Sequence, residues 1–212
     1  LANASKSETY VHRILLPEIM FDEGKFLTAV EKDVSRYGYS VIVASEGLKD
    51  SDGRLYSETG QRDSFGHSQL GGLAPKIAKL INNQLGFKYH WSVSDYLQRS
   101  ARHLSSTTDI EQAIAVGKHA VNMALSGKTG VMPVIERISS QPYKWRISEG
   151  QLKNIANREK SVPRTYISSN GFRINEKGVE YLLPLIQGEA FPEFHLGLPK
   201  YEQLDLHLDE SV

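Results

Sequence analysis

The chain has 212 residues, enough to bury a sizeable core as one large α/β domain with appendages. Lys and Arg number 25, as do Asp and Glu, so no basic excess points to nucleic acid or an anionic membrane, and any anion site has to be local. Cysteine is absent, which excludes a disulfide framework, a thiol nucleophile and thiolate metal ligands and fits a reducing cytoplasm, and no apolar run approaches the roughly 20 residues that span a bilayer.

The start, Leu1–Ser7, has neither an initiator Met nor the charged-then-apolar order of a signal peptide, so the sequence is expected to be a piece of a longer one. Val11–Leu16 reads as a strand stopped by Pro17, and Asp22-Glu23 opens a helix whose Phe26, Val30, Val34 and Tyr37 form one apolar stripe. Gly38 ends it, and Tyr39–Ser45 follows as a β-branched run of the kind buried on both faces of a parallel sheet. Residues 46–72 are rich in Gly, Ser, Asp and Arg without a period, which reads as a long loop.

A second helix is expected from Pro75 to Leu85 with Ile77, Leu80 and Ile81 inward, then a strand over Phe87–Val93. Thr108 and Asp109 are N-cap candidates for a third helix that ends at Gly127. Its inward face is expected to be Ile110, Ala113, Ile114, Gly117, Val121, Ala124 and Leu125, with Gly117 marking close packing. Val131–Ile135 is a further strand whose Pro133 implies an edge or a bulge. Beyond Ser140 the pattern weakens to an amphipathic stretch near Leu152–Ala156, a loop through Pro163 and a helix near Glu176–Leu183.

In a doubly wound sheet, ligands sit beyond the carboxyl ends of the strands, which singles out two places. Glu46 follows an apolar strand and precedes Gly47; such a carboxylate can accept from sugar hydroxyls or serve as a helix-cap acid, and the pattern leaves both open. Asp95–Arg102 clusters Tyr96, Gln98, Arg99 and Arg102 after a strand. Arg suits bidentate capture of phosphate, and a solvated turn with a surface ion pair is the alternative. His67 near Asp63 and His103 near Asp109 lack the spacing of a metal motif, and the glycine-bearing Phe65–Gly72 stretch lacks the order of a phosphate cradle.

The segments "VIVASEG", "DYLQRSARH" and "AVGKHAVNMALSGKTGVMP", taken in this order from "LLPEIMFDEGKF" through "YLLPLIQGE", resemble the C-terminal half of the phosphofructokinase family, its bacterial pyrophosphate-dependent branch above all. The resemblance implies an α/β, parallel-sheet Rossmann-like domain with helices on both faces and a C-terminal α-rich extension. Residues 1–140 would form the sugar-phosphate-binding domain and residues 141–212 an extension packed on the enzyme body. By the same resemblance Glu46 binds hydroxyls of fructose 6-phosphate, while Arg99, beside Gln98, grips the 6-phosphate.

Tyr96 stands three residues before Arg99, where ATP-dependent relatives commonly have histidine, and its hydroxyl can still donate to phosphate. Relatives place a further phosphate-binding arginine on the preceding strand, where this chain offers Lys88 and His90; Lys88 is the candidate. The family's "GGD", "TIDND" and "MGR" segments, which supply the donor site, the catalytic base and a further sugar contact, do not occur here. No catalytic residue is therefore assigned within this chain, no metal ligand either, and turnover by it alone is not expected. The resemblance also implies pyrophosphate and Mg2+ bound through the missing segment, a homo-oligomer, a cytoplasmic location, and no nucleic-acid or membrane partner. Two other readings stay open: an ATP-dependent 6-phosphofructokinase, and a non-catalytic regulatory or scaffold subunit of the same fold.

Overall fold

The computed structural model describes residues 11–62, 68–70 and 72–201, and for residues 58–62, 68–70, 98 and 99 the backbone alone. Its centre is a βαβ unit. Strand β1 (Arg13–Leu15) runs parallel to β2 (Ile42–Ala44), with Ile14 opposite Val43, and helix α1 (Glu23–Tyr37) connects them. The α/β class expected from the alternation of elements is the one observed.

Helix α1 begins where Asp22 accepts from the amide of Lys25 at 2.9 Å and ends at Gly38, whose φ of 81° suits glycine and whose amide donates to Val34. Its stripe behaves as the sequence predicts: Phe26 and Val30 are buried and Val34 is packed against them. One member of α1 breaks the pattern. Asp33 is buried, and it is reached by Arg13 from β1 at 2.5 Å and by the Ser40 hydroxyl at 3.0 Å. That buried ion pair clamps the helix to the strand, and a buried charge is tolerable only when paired in this way.

The loop after β2 is stapled between helices. Helix α2 (Leu73–Leu85) starts two residues earlier than the sequence suggests and presents Leu73, Ile77, Ala78 and Ile81 to the core, beside Leu15, Phe21 and Leu48. Tyr56 donates its hydroxyl to Glu23 of α1 at 2.5 Å, while Lys76 of α2 donates to the Tyr56 carbonyl and sits 4.1 Å from its ring. Burial first, and then the Glu23 carboxylate, push the Tyr56 phenol above its ordinary range. Within the stretch read as a long loop, the backbone forms an antiparallel pair, β3 (Glu58–Arg62) and β4 (Ser68–Leu70). Half of the Phe65–Gly72 stretch, residues 65–67 and 71, together with Asp63, lies outside the described residues.

The second half of the chain is built on α4 (Thr107–Leu125), preceded by a single-turn helix α3 (Leu97–Ser100). Ser106 is the N-cap of α4, accepting from the Asp109 amide at 3.1 Å, so the cap lies two residues before Thr108 and Asp109 stands inside the first turn. Its amino end is tied to distant chain: Thr107 and Thr108 amides donate to Gly188 and Gln187, the Ser106 hydroxyl donates to Leu185 at 2.7 Å, and Arg102 donates to Ala190.

Strand β5 runs over Val131–Ser140 and pairs with β6 (Tyr143–Gln151), with Pro133 opposite Glu149 and a bulge between Arg137 and Ser139. The sequence reading missed β6, because Tyr143–Gln151 mixes charged and apolar residues on a hairpin whose two faces are both partly exposed. After residue 151 come a short α5 (Glu176–Leu182), 3₁₀ turns at Leu152–Asn154, Arg164–Tyr166 and Leu183–Ile186, and a small pair, β7 (Phe194–His195) with β8 (Leu198–Pro199). Phe172 from this part packs on the central core.

Three expectations fail for one physical reason. The face of α4 read as inward is open, with Ile114, Val121 and Leu125 at 53%, 58% and 82% exposure, and a side chain added at Gly117 would meet nothing. Buried instead are Gln112, which donates to the Tyr143 hydroxyl at 2.6 Å, and Met123. The stretch read as buried on both faces, Tyr39–Ser45, is covered on one face only: Ile42 and Ala44 of β2 pack on the core, while Tyr39, Val41 and Val43 are exposed. Phe87–Val93 is not a strand: it has no ladder partner among the described residues, and Tyr89, Trp91 and Val93 face outward. Periodicity identifies which face is apolar; it does not say whether the same chain supplies the cover.

Candidate functional site

The carboxyl end of β2 delivers Ser45-Glu46-Gly47, as the ligand-crevice rule anticipates. Glu46 is half-buried, and both of its oxygens lie 3.2 Å from the amide of Leu73, the first residue of α2. Its carbonyl accepts from the hydroxyl of buried Ser57 at 3.2 Å. Of the two uses the sequence left open, the helix-cap contact is therefore made here. A carboxylate offers about four acceptor positions, so one shared N–H leaves room for hydroxyl donors.

The other candidates lie after α2. Lys88 and His90 are exposed in the extended stretch that follows Gly86. The turn beyond it is tight: Asp95 sits at φ 44°, a left-handed conformation uncommon for a residue with a side chain, and Leu97 donates to the Ser94 carbonyl at 2.9 Å. Tyr96 is 70% exposed, and its carbonyl accepts from the Ser100 amide and hydroxyl. Gln98 and Arg99 are in α3, where the sequence reading put a turn; their side chains lie outside the described residues.

Two clefts flank β1 and α1. One, of about 170 Å³, opens beyond Leu15 and is lined by Leu16, Phe21, Leu48, Arg164 and Phe172 among others. The second, about 630 Å³, lies along Lys25, Thr28 and Lys32. Glu46, Lys88 and Tyr96 line neither of these two clefts. Among the described residues no group of three or more His, Asp or Glu could hold a metal, and no helix is long and apolar enough to cross a membrane.

The sequence reading missed Ser57 and the Leu73 amide. Ser57 carried no signal, being one small polar residue in a loop. The Leu73 amide had one: Gly72 before a helical pattern supplies no side chain to cap it.

Comparison with known proteins is decisive. The chain is 51% identical over 196 residues to the pyrophosphate–fructose 6-phosphate 1-phosphotransferase of Halomonas elongata and 53% identical over 191 residues to that of Methylococcus capsulatus. These matches cover 92% and 90% of this chain but 47% and 46% of those proteins. A solved pyrophosphate-dependent phosphofructokinase from Marinobacter aquaeolei superposes with a TM-score of 0.80 at 45% identity, over 98% of this chain and 48% of that one.

The chain belongs to the phosphofructokinase family.

No family model matches it. It spans about half the length of the curated relatives it matches. Against phosphofructokinases of about twice its length, the open faces of α4, β2 and Phe87–Val93 are the places where the sequence pattern asks for cover and this chain supplies none among the described residues.

Proposed function

We propose that this chain is the fructose-6-phosphate-binding portion of a pyrophosphate-dependent 6-phosphofructokinase, an enzyme that moves a phosphoryl group from diphosphate to the 1-hydroxyl of fructose 6-phosphate. The observation that carries the reading is the identity of 51–53% across nine-tenths of the chain with proteins named for that reaction. Glu46 accepts from sugar hydroxyls, Arg99 and Gln98 hold the 6-phosphate, and Tyr96 and Lys88 add a neutral and a charged donor to it. Residues 1–140 carry these contacts, and residues 141–212 brace them.

Phosphoryl transfer is largely positioning and charge neutralisation, so donor and acceptor must be held together. The donor, its Mg2+ and the base belong to the remaining half of the protein. That whole protein is a cytoplasmic homo-oligomer without nucleic-acid or membrane partners.

The test is to join this chain to the remaining half of the Halomonas elongata protein and assay phosphorylation of fructose 6-phosphate. Turnover with pyrophosphate and Mg2+ but not with ATP is the expected result. No turnover, in a folded hybrid that still binds pyrophosphate through the Halomonas half, would favour a scaffold subunit.

A further inference from the structure

Helix α2 opens without a cap of its own. Its N-cap position is Gly72, at φ 77° and ψ 85°, a conformation that suits glycine, and a side chain there would press on Pro75 at 3.3 Å. The first turn holds no acidic residue, and Pro75 within it has no amide to offer. The positive end of the helix, which lacks a cap of its own, is met from elsewhere in the chain by both oxygens of Glu46. Glu46 is in turn held from behind, since buried Ser57 fixes its carbonyl and the adjoining Gly47 packs against Pro17, where a side chain would come within 3.3 Å.

We propose that the amino end of α2 is a positioning element for this carboxylate: it presents Glu46 ready-oriented, and contact of a sugar hydroxyl with Glu46 is felt at the Leu73 amide. The proposal rests on the reading that Glu46 receives sugar hydroxyls. Orientation of a flexible glutamate costs conformational freedom, and here that cost is met on folding, so a ligand finds the acceptor in place. The ligand joins the Leu73 amide on the carboxylate and does not displace it, because lone pairs remain for both. α2 then stays capped when the site fills.

Residue-resolved amide hydrogen exchange on the whole chain tests this, with fructose 6-phosphate and inorganic phosphate as probes. Glu46→Ala is expected to speed exchange in the first turn of α2 about fivefold, the size of a lost cap, while α1 is unchanged. Glu46→Gln, which keeps one acceptor oxygen, restores most of the protection. Saturating fructose 6-phosphate slows exchange at Leu73 in the parent chain but not in Glu46→Ala, and phosphate alone leaves Leu73 unaffected.

Equal exchange at Leu73 in the parent and Glu46→Ala chains overturns the capping role and the proposal with it. Protection by fructose 6-phosphate elsewhere, with Leu73 unmoved, overturns the coupling and leaves the sugar-binding reading intact. No response anywhere in the chain overturns both.

Discussion

At the scale of single residues, the strongest functional claim concerns Arg99. A hydrogen bond between charged partners contributes about 1.5–3 kcal/mol, so Arg99→Ala in the protein joined to its remaining half raises the KM for fructose 6-phosphate at least tenfold. Steady-state kinetics against both substrates checks it, and an unchanged KM would remove Arg99 from the site. Asp22 gives a pH-dependent counterpart. The amide of Lys25, and then its ammonium, hold the Asp22 carboxyl below its ordinary 3.8. A carboxylate depressed on folding stabilises above its unfolded value, and that contribution is lost as pH falls through the lower folded one. Asp22→Ala therefore lowers the urea midpoint at neutral pH, and its gap from the parent chain closes below pH 3.8. Glu46 marks the limit of residue-scale reading: its place after an apolar strand was legible in the string, whereas its pairing with a backbone amide 27 positions away was not, because Gly72 signals only that the helix lacks a local cap and not which residue supplies one.

The elements divide by how local their causes are. Helix α1 could be read almost completely, since its cap, stripe and terminal glycine lie within one continuous segment. Asp33 escaped because its pairing with Arg13 spans 20 positions, and a charge on an apolar flank reads as solvated. Removing one partner of a buried pair strands the other, so Asp33→Ala costs about 3–5 kcal/mol in chemical denaturation. Replacing Arg13 and Asp33 together with Met and Leu recovers most of that loss, which separates the stranded charge from general damage to the packing. Strand β6 escaped for the opposite reason. Arg137 is stacked on Tyr143 at 4.8 Å and on Tyr181 at 4.1 Å, so the hairpin is held by aromatic and cationic contacts that give no alternating apolar signal.

At the scale of the molecule, fold class and family could be read from the order of the motifs, and the cover of the apolar faces could not. Ile114, Val121 and Leu125 line up along one side of α4, a larger unsupported patch than scattered surface leucines make. The isolated chain is accordingly expected to self-associate at micromolar concentration. The double substitution Val121→Glu and Leu125→Glu shifts it to monomer, as read by light scattering, with little change in melting temperature, because neither side chain is buried. A parent chain that stays monomeric would count against the exposed face.

The knots between Ser106–Thr108 and residues 185–190 bear on how this polypeptide can be handled. A version trimmed at residue 140, to isolate a minimal sugar-binding unit, would cut the β5–β6 hairpin at its bend and take away the oxygens that anchor the start of α4, along with Phe172 from the interior. Anyone wishing to graft or shorten this unit has to carry the tail as far as Ala190, since the fastening is at the far end of the string.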